Sequence, residues 1–182
     1  MKLRELHDWD LTPGEARSLQ EALRGQVRLE RGPGLGDIRR VAGVDNSYVR
    51  DGETTTAFAS VVVLSFPELE VIETRHAALP ISFPYVPGLL SFREAPAILA
   101  ACRAVESEPD VVLFDGHGLA HPRRLGLAAH LGLFLERPAI GVAKSRLIGE
   151  HEEPAREFGA RQPLFDRGEM VGMVVRTRPS SK

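Results

Sequence analysis

Three carboxylates stand where an apolar run meets a loop: Asp45 in VAGVDNS, Glu94 in SFRE and Asp115 in VVLFDGHG. An acid at such a seam is costly if the adjoining strand or helix buries it, but several that meet can hold a hard divalent cation. Asp115 has the strongest positional claim. It ends a short apolar strand just before Gly116-His117-Gly118, and in open α/β sheets ligands sit outside the carboxyl ends of the strands. Asp45 lies in the first strand and reaches the same place if the two strands are neighbours. Glu94 opens a helix, where the macrodipole favours its ionised form. A turn or cap role would account equally well for Asp45 or Glu94 taken alone. Convergent acids repel unless a cation neutralises them, so their meeting would itself imply Mg2+ or Mn2+.

Other residue types cluster with these acids. Lys144 ends the strand AIGVA on the edge where Asp115 lies. There it can orient a nucleophilic water, stabilise charge on a phosphoryl oxygen, or simply pair with one of the acids. His117 and His121 could bind Zn2+, but no thiolate stands near them and the acids prefer a harder ion. Pro122 suits the first position of a helix. Arg123 and Arg124 follow it, and they suit a solvated surface or a phosphate site at that helix terminus equally. Tyr85 sits between Pro84 and Pro87 in PYVPG. A ring on so restricted a backbone is suited to wedging into a base stack, or it packs under its own loop.

These residues need elements to position them. Thr12, Pro13 and Glu15 form a capping box, and Ala16, Leu19, Leu23 and Val27 give the helix that follows an apolar face. After the Gly/Pro loop 31–37, residues 38–49 read as a strand, Arg50-Asp51-Gly52 as a hairpin turn, and 54–66 and 69–79 as two more strands. From residue 92 the period changes to threes and fours through Phe92, Ala95, Leu99, Cys102 and Val105, which predicts a helix with Pro96 in its first turn. Residues 111–115 read as a buried strand, 125–136 as a helix, 139–143 as a strand, and 170–177 as a last strand before the polar tail RTRPSSK. Three antiparallel strands followed by two helix-connected parallel ones predict an α/β mixed sheet with helices on both faces.

Composition narrows the class. The chain has 182 residues, is 43% hydrophobic and carries a formal charge of -2. That suits a single domain, 1–182, that is not a general polyanion binder, so any nucleic-acid contact must come from a local basic patch rather than from overall charge. The N-terminus lacks an apolar stretch suited to a signal or membrane helix, and the single cysteine, Cys102, cannot form an internal disulfide. A cytoplasmic monomer without membrane contact is expected. Basic residues are overwhelmingly arginine, with lysine only at positions 2, 144 and 182, which makes the internal Lys144 conspicuous.

Taken together, VAGVD, PYVPGLLSFRE, DGHGLAHPRRLG and GVAK, in this order and spacing, closely resemble the endonuclease V family, the nucleases that act at deaminated adenine. The resemblance implies a ribonuclease-H-like fold and Mg2+-dependent cleavage, with Mn2+ as a substitute, of a phosphodiester on the 3' side of deoxyinosine. It implies that Asp45, Glu94 and Asp115 are the metal ligands, that Lys144 and His121 belong to the active site, and that Tyr85 is the wedge. Gly88, Leu90, Gly116, Gly126 and Leu147 would line a pocket for hypoxanthine, where small residues let backbone groups approach the flat base. The partner would be DNA containing deoxyinosine or other deaminated bases. Two departures stand out. Asn46 follows the first acid where the family more often has a small or apolar residue. Nothing after Arg178 matches the C-terminal strand, helix and Pro-Gly-His motif usual in the family. Two alternatives accompany the active nuclease: a truncated module that binds inosine-containing DNA with little or no cleavage, and a ribonuclease acting on inosine-containing RNA.

Overall fold

The computed structural model describes residues 1–29 and 32–179; Arg31 of the Gly/Pro loop and residues 180–182 of the polar tail lie outside them. Helix α1 (Pro13–Leu23) starts on the expected capping box: Glu15 N donates to Thr12 Oγ1 at 3.3 Å and Thr12 N to Glu15 Oε2 at 2.8 Å. Strands β1 (Arg40–Asp51), β2 (Thr54–Ser65) and β3 (Val71–Pro80) form the antiparallel meander. Helix α2 (Leu90–Arg103), β4 (Val111–Asp115), α3 (Leu127–Leu135) and β5 (Ala139–Val142) follow. The sheet order is β3-β2-β1-β4-β5, with β4 parallel to both β1 and β5. This is the mixed sheet the alternation predicts.

The core lies on one face of that sheet. Ala42 and Val44 of β1, Ala57, Ala59, Val61 and Val63 of β2, and Val112 and Phe114 of β4 alternate into it, as a period of two requires. Helix α2 packs on β1, β2 and β3, α3 packs on β4 and β5, and the two helices touch each other. Among the described residues both therefore share one face, a correction to the expectation of helices on both. The opposite face leaves Phe58, Ile140 and Val142 exposed. Helix α1 stands outside this layer and packs through Ala16 on Phe83, Leu89 and Phe92. Cys102 is fully buried in the core, and burial pushes its thiol up to about 12.

Besides shifts of about two residues at β1 and α3, two features differ from the periodicity. Helix α2 begins at Leu90, directly after the Gly88 turn, so Pro96 lies inside it rather than in its first turn. The C-terminal strand is half of a separate hairpin, β6 (Arg161–Asp166) with β7 (Glu169–Val175). Arg167 and Gly168 make the turn with positive φ, the geometry of a tight hairpin.

The N-terminal segment forms an outer layer. Leu3, Leu6 and Trp9 pack on the core, Arg4 N donates to Phe134 O at 2.8 Å, and Trp9 stacks on Phe134 with centroids 5.2 Å apart. Beneath it runs a hydrogen-bonded chain. Because carbonyl oxygens only accept, His7 Nδ1 donates to Asp8 O at 2.7 Å, and His7 Nε2 therefore accepts from His130 Nε2 at 2.9 Å. His130 Nδ1 then accepts from Ser91 Oγ at 2.9 Å, so both rings are neutral in this arrangement. Burial lowers the pKa of both, that of His130 to about 3.

Candidate active site

Register brings two of the acids together. Val44 pairs with Phe114 in the parallel β1–β4 ladder, and both side chains point to the helices. Asp45 and Asp115, the next residue on each strand, therefore point together to the opposite face. Asp115 pairs with Val142 on β5, and Lys144, two residues further on, donates to Asp115 Oδ2 at 2.6 Å. The adjacency on which Asp45 depended is thus present, and the expected salt bridge of Lys144 accompanies it.

Glu94 arrives from the helix side. Strand β4 stops at Asp115 while β1 runs on to Asp51, and the start of α2 rests against that overhang. Tyr48 on β1 donates its hydroxyl to Glu94 Oε1, and Asn46 Nδ2 lies 3.5 Å from Glu94 O. Arg93 sits 5.4 Å over the Tyr48 ring. Glu94 is only 8% exposed. Burial is the largest influence raising its pKa, the Tyr48 hydrogen bond opposes it, and the charges of Asp45 and Asp115 raise it further. The Lys144 ammonium is raised first by its hydrogen bond to Asp115 and then by the charges of Asp115 and Asp45. The three acids and the lysine therefore share one field.

The donor set fits a hard cation in kind. All three acids offer oxygen, Glu94 is desolvated, and the charges of Asp45 and Asp115 disfavour its ionised form. Among the described residues they are not gathered into a ready-made ligand set of three or more; Lys144 and Tyr48 instead satisfy Asp115 and Glu94. Asn46 Oδ1, on the helix face beside Glu94, is buried without a hydrogen-bond partner among those residues.

The remaining candidates divide. Tyr85 is 73% exposed, the position a wedge needs rather than one packed beneath a loop. His121 is buried and bonded to backbone rather than to any of the acids. Its Nε2 donates to Gly88 O at 3.0 Å, its Nδ1 accepts from Arg123 N at 3.2 Å, and burial lowers its pKa to about 4. In this arrangement it is a neutral tie between the Gly88 loop and the loop before α3. Arg123 donates to Gly88 O at 2.8 Å. Arg124 is paired with Asp166 at 2.7 Å and Glu169 at 2.7 Å, which fixes the β6–β7 hairpin to the loop before α3. Internal partners thus occupy both guanidinium groups, in place of the phosphate expected for them.

Of the expected pocket residues, Gly126 is packed on backbone. Its N donates to Gly118 O at 2.9 Å, and a Cβ there would stand 2.4 Å from His117 O. It allows the 116–118 loop to close on α3 rather than facing a ligand. Gly116 lies in that loop, Leu90 is half-buried at the start of α2, and Leu147 is exposed beyond Lys144. His117 Nε2 donates to Ser145 O at 2.9 Å and so joins the loops carrying Asp115 and Lys144. Two contributors escaped the sequence reading. Tyr48 gives no local signal. Gln20, a buried amide between Ala16 and Leu23, is a polar break in an apolar stripe, a signal that was available.

Comparison with known proteins gives a consistent result. The family model described as Endonuclease V matches residues 21–182. An Endonuclease V of a Nostoc species is 53% identical over 182 residues, covering all of this chain and 81% of the relative. The crystal structure of Endonuclease V from Bacillus subtilis superposes with a TM-score of 0.94 at 35% identity, covering 100% of this chain and 78% of that one. A Ciona intestinalis Endonuclease V, crystallised with a 24mer DNA containing an inosine followed by a ribo-adenosine, superposes with a TM-score of 0.68 at 35% identity, covering 75% of this chain and 59% of that one.

Proposed function

The chain belongs to the endonuclease V family, and from that premise we propose that it is a DNA repair endonuclease that cleaves a phosphodiester on the 3' side of deoxyinosine by Mg2+-dependent hydrolysis. The observation that carries this reading is the meeting of Asp45 and Asp115 through the β1–β4 register, with Lys144 bonded to Asp115 and the buried Glu94 within the field of both acids. Asp45, Glu94 and Asp115 would hold the cation. When bound, it supplies neutralisation of phosphate charge and acidity for the attacking water.

The chain's own groups do the rest. Tyr48 fixes one oxygen of Glu94. Lys144, exposed beyond β5, brings a positive charge that can turn from Asp115 to a phosphoryl oxygen. Tyr85, held between two prolines, fills the space left by an extruded base. Deaminated bases pair poorly, so their extrusion costs less than the few kcal/mol of a normal pair, roughly, and selectivity begins there.

The test is a labelled duplex with one deoxyinosine, incubated with Mg2+ or EDTA. A nick on the 3' side leaving 5'-phosphate and 3'-hydroxyl ends is expected with Mg2+ alone, and Asp45→Ala abolishes it without loss of folding. Binding without metal-dependent nicking would leave an inosine-binding module instead. A second reading has specific support: the Ciona relative was captured on a strand with a ribonucleotide after the inosine. Faster cleavage of inosine-containing RNA than of DNA in the same assay would favour it.

A further inference from the structure

Helix α1 carries none of the candidate site residues, yet Gln20 reaches from it into the loops around the site. Gln20 is 1% exposed. Its Nε2 donates to Gly88 O at 3.1 Å and to Leu125 O at 3.1 Å, and its Oε1 accepts from Arg123 Nε at 2.6 Å. Both amide hydrogens are thereby engaged. The Gly88 carbonyl receives three donors, Gln20 Nε2, His121 Nε2 and Arg123 Nη2, which saturates an oxygen with two lone pairs. Gly88 has a φ of +79°, and a Cβ there would stand 2.8 Å from Arg123 Nη2, so both the backbone conformation and the close approach call for glycine.

The two loops joined in this way have different tasks. Residues 84–88 carry Tyr85. Residues 116–125 follow Asp115 at the end of β4 and lead towards α3. Surface loops are mobile unless their backbone is tied down, and here the buried Gln20 amide bonds both, alongside His121 and Arg123.

We propose that Gln20, together with His121 and Arg123, is a positioning residue that sets the spacing between the Tyr85 loop and the 116–125 loop before nucleic acid binds, so that wedge and receiving surface meet a strand already aligned. The proposal rests on the inosine-nuclease reading for its purpose, but its geometry stands without it. Loops fixed before binding lose less freedom on binding, so the gain is greatest for the lesion whose extrusion they assist.

The test compares Gln20→Leu, which removes all three bonds, with Gln20→Glu, which keeps an acceptor for Arg123 and loses both donors. In the free protein, amide hydrogen exchange within 85–89 and 119–126 should accelerate by about tenfold in both variants, the loss of one or two hydrogen bonds, while β1 stays unchanged. In EDTA, the ratio of affinities for deoxyinosine over undamaged duplex should fall by about tenfold in Gln20→Leu. That fall should disappear when Tyr85→Ala is already present, because residues acting through one another are not additive. Unchanged exchange in the two loops, or an equal loss of preference with and without Tyr85, would overturn the proposal. A parent protein with no preference for deoxyinosine would defeat the nuclease reading instead, and the exchange measurement would still decide the role of Gln20.

Discussion

Lowering the pH from 7 to 5 should destabilise this protein through its buried histidines. The folded state holds His130 at a pKa of about 3 and His121 at about 4, both lowered chiefly by burial, against an ordinary value of 6.5. The sign follows from linkage. At pH 7 these rings are neutral whether the chain is folded or not, so neither state gains. Below 6.5 the unfolded chain binds protons that the folded one refuses, and stability falls until the pH reaches the folded values. At pH 5 each ring contributes a loss of about 1.9 kcal/mol, and the pair about 3 kcal/mol once the His121 share is discounted for residual hydration. His7, lowered in the same direction, adds to it. A loss of that size is a large part of the roughly 5–15 kcal/mol that stabilises a typical domain. Glu73 does not confuse the window. Backbone N–H groups of Glu106 and Ser107 hold its carboxyl down at about 2, so its contribution is lost only as the pH falls below its ordinary value of 4.5. The assay is urea unfolding followed by fluorescence of Trp9, the single tryptophan, at pH 7, 6 and 5. The midpoint should drop by about 1 M or more between the extremes. An unchanged midpoint would mean that the histidines are not held neutral, and the tautomer chain from Ser91 to Asp8 would be wrong.

Further outcomes follow from single contacts. Tyr48→Phe removes the hydroxyl on Glu94 while keeping the ring beneath Arg93; nicking at limiting Mg2+ should fall by about tenfold, the loss of one charge-assisted hydrogen bond, and recover at high Mg2+. An unaltered Mg2+ dependence would remove Tyr48 from the site. Gly126→Ala drives a methyl onto His117 O and should lower the melting temperature by about 6–10 °C, corresponding to overpacking of a few kcal/mol. Melting equal to the parent's would show that the 116–118 loop yields freely. Arg124→Ala releases Asp166 and Glu169, so limited proteolysis should cut within 150–175 several times faster than in the parent, and an identical cleavage pattern would show that the hairpin is held by other means.

What was legible in the sequence is what local pattern determines. The three antiparallel strands, the hairpin signal at Arg50-Asp51-Gly52 and the helix-connected parallel strands were all readable, whereas the adjacency of β1 and β4, on which the meeting of Asp45 and Asp115 depended, came only with the structure. What was hidden depends on partners far apart in the chain. Tyr48 meets Glu94 across 46 positions and Arg124 meets Asp166 across 42, so no window of sequence contains either pair. Strand β6 escaped because Pro163 lies inside it and lacks the N–H of an ordinary strand residue. The arginine pair looked available for phosphate because side-chain type gives charge but not occupancy. Helix α2 began two residues earlier than its stripe because Leu90 and Ser91 extend it back to the Gly88 turn.

The burial of Cys102 has a practical consequence. Its thiol is enclosed in the core and held almost wholly protonated at neutral pH, so maleimide reagents, which need an accessible thiolate, will pass it by. No background cysteine has to be removed before a dye is attached elsewhere. A cysteine placed at Tyr85, or on the exposed loop at Leu147, becomes the one reactive handle on the molecule. The folded core thus leaves the surface spectroscopically blank, ready for distance measurements between the wedge loop and a labelled strand.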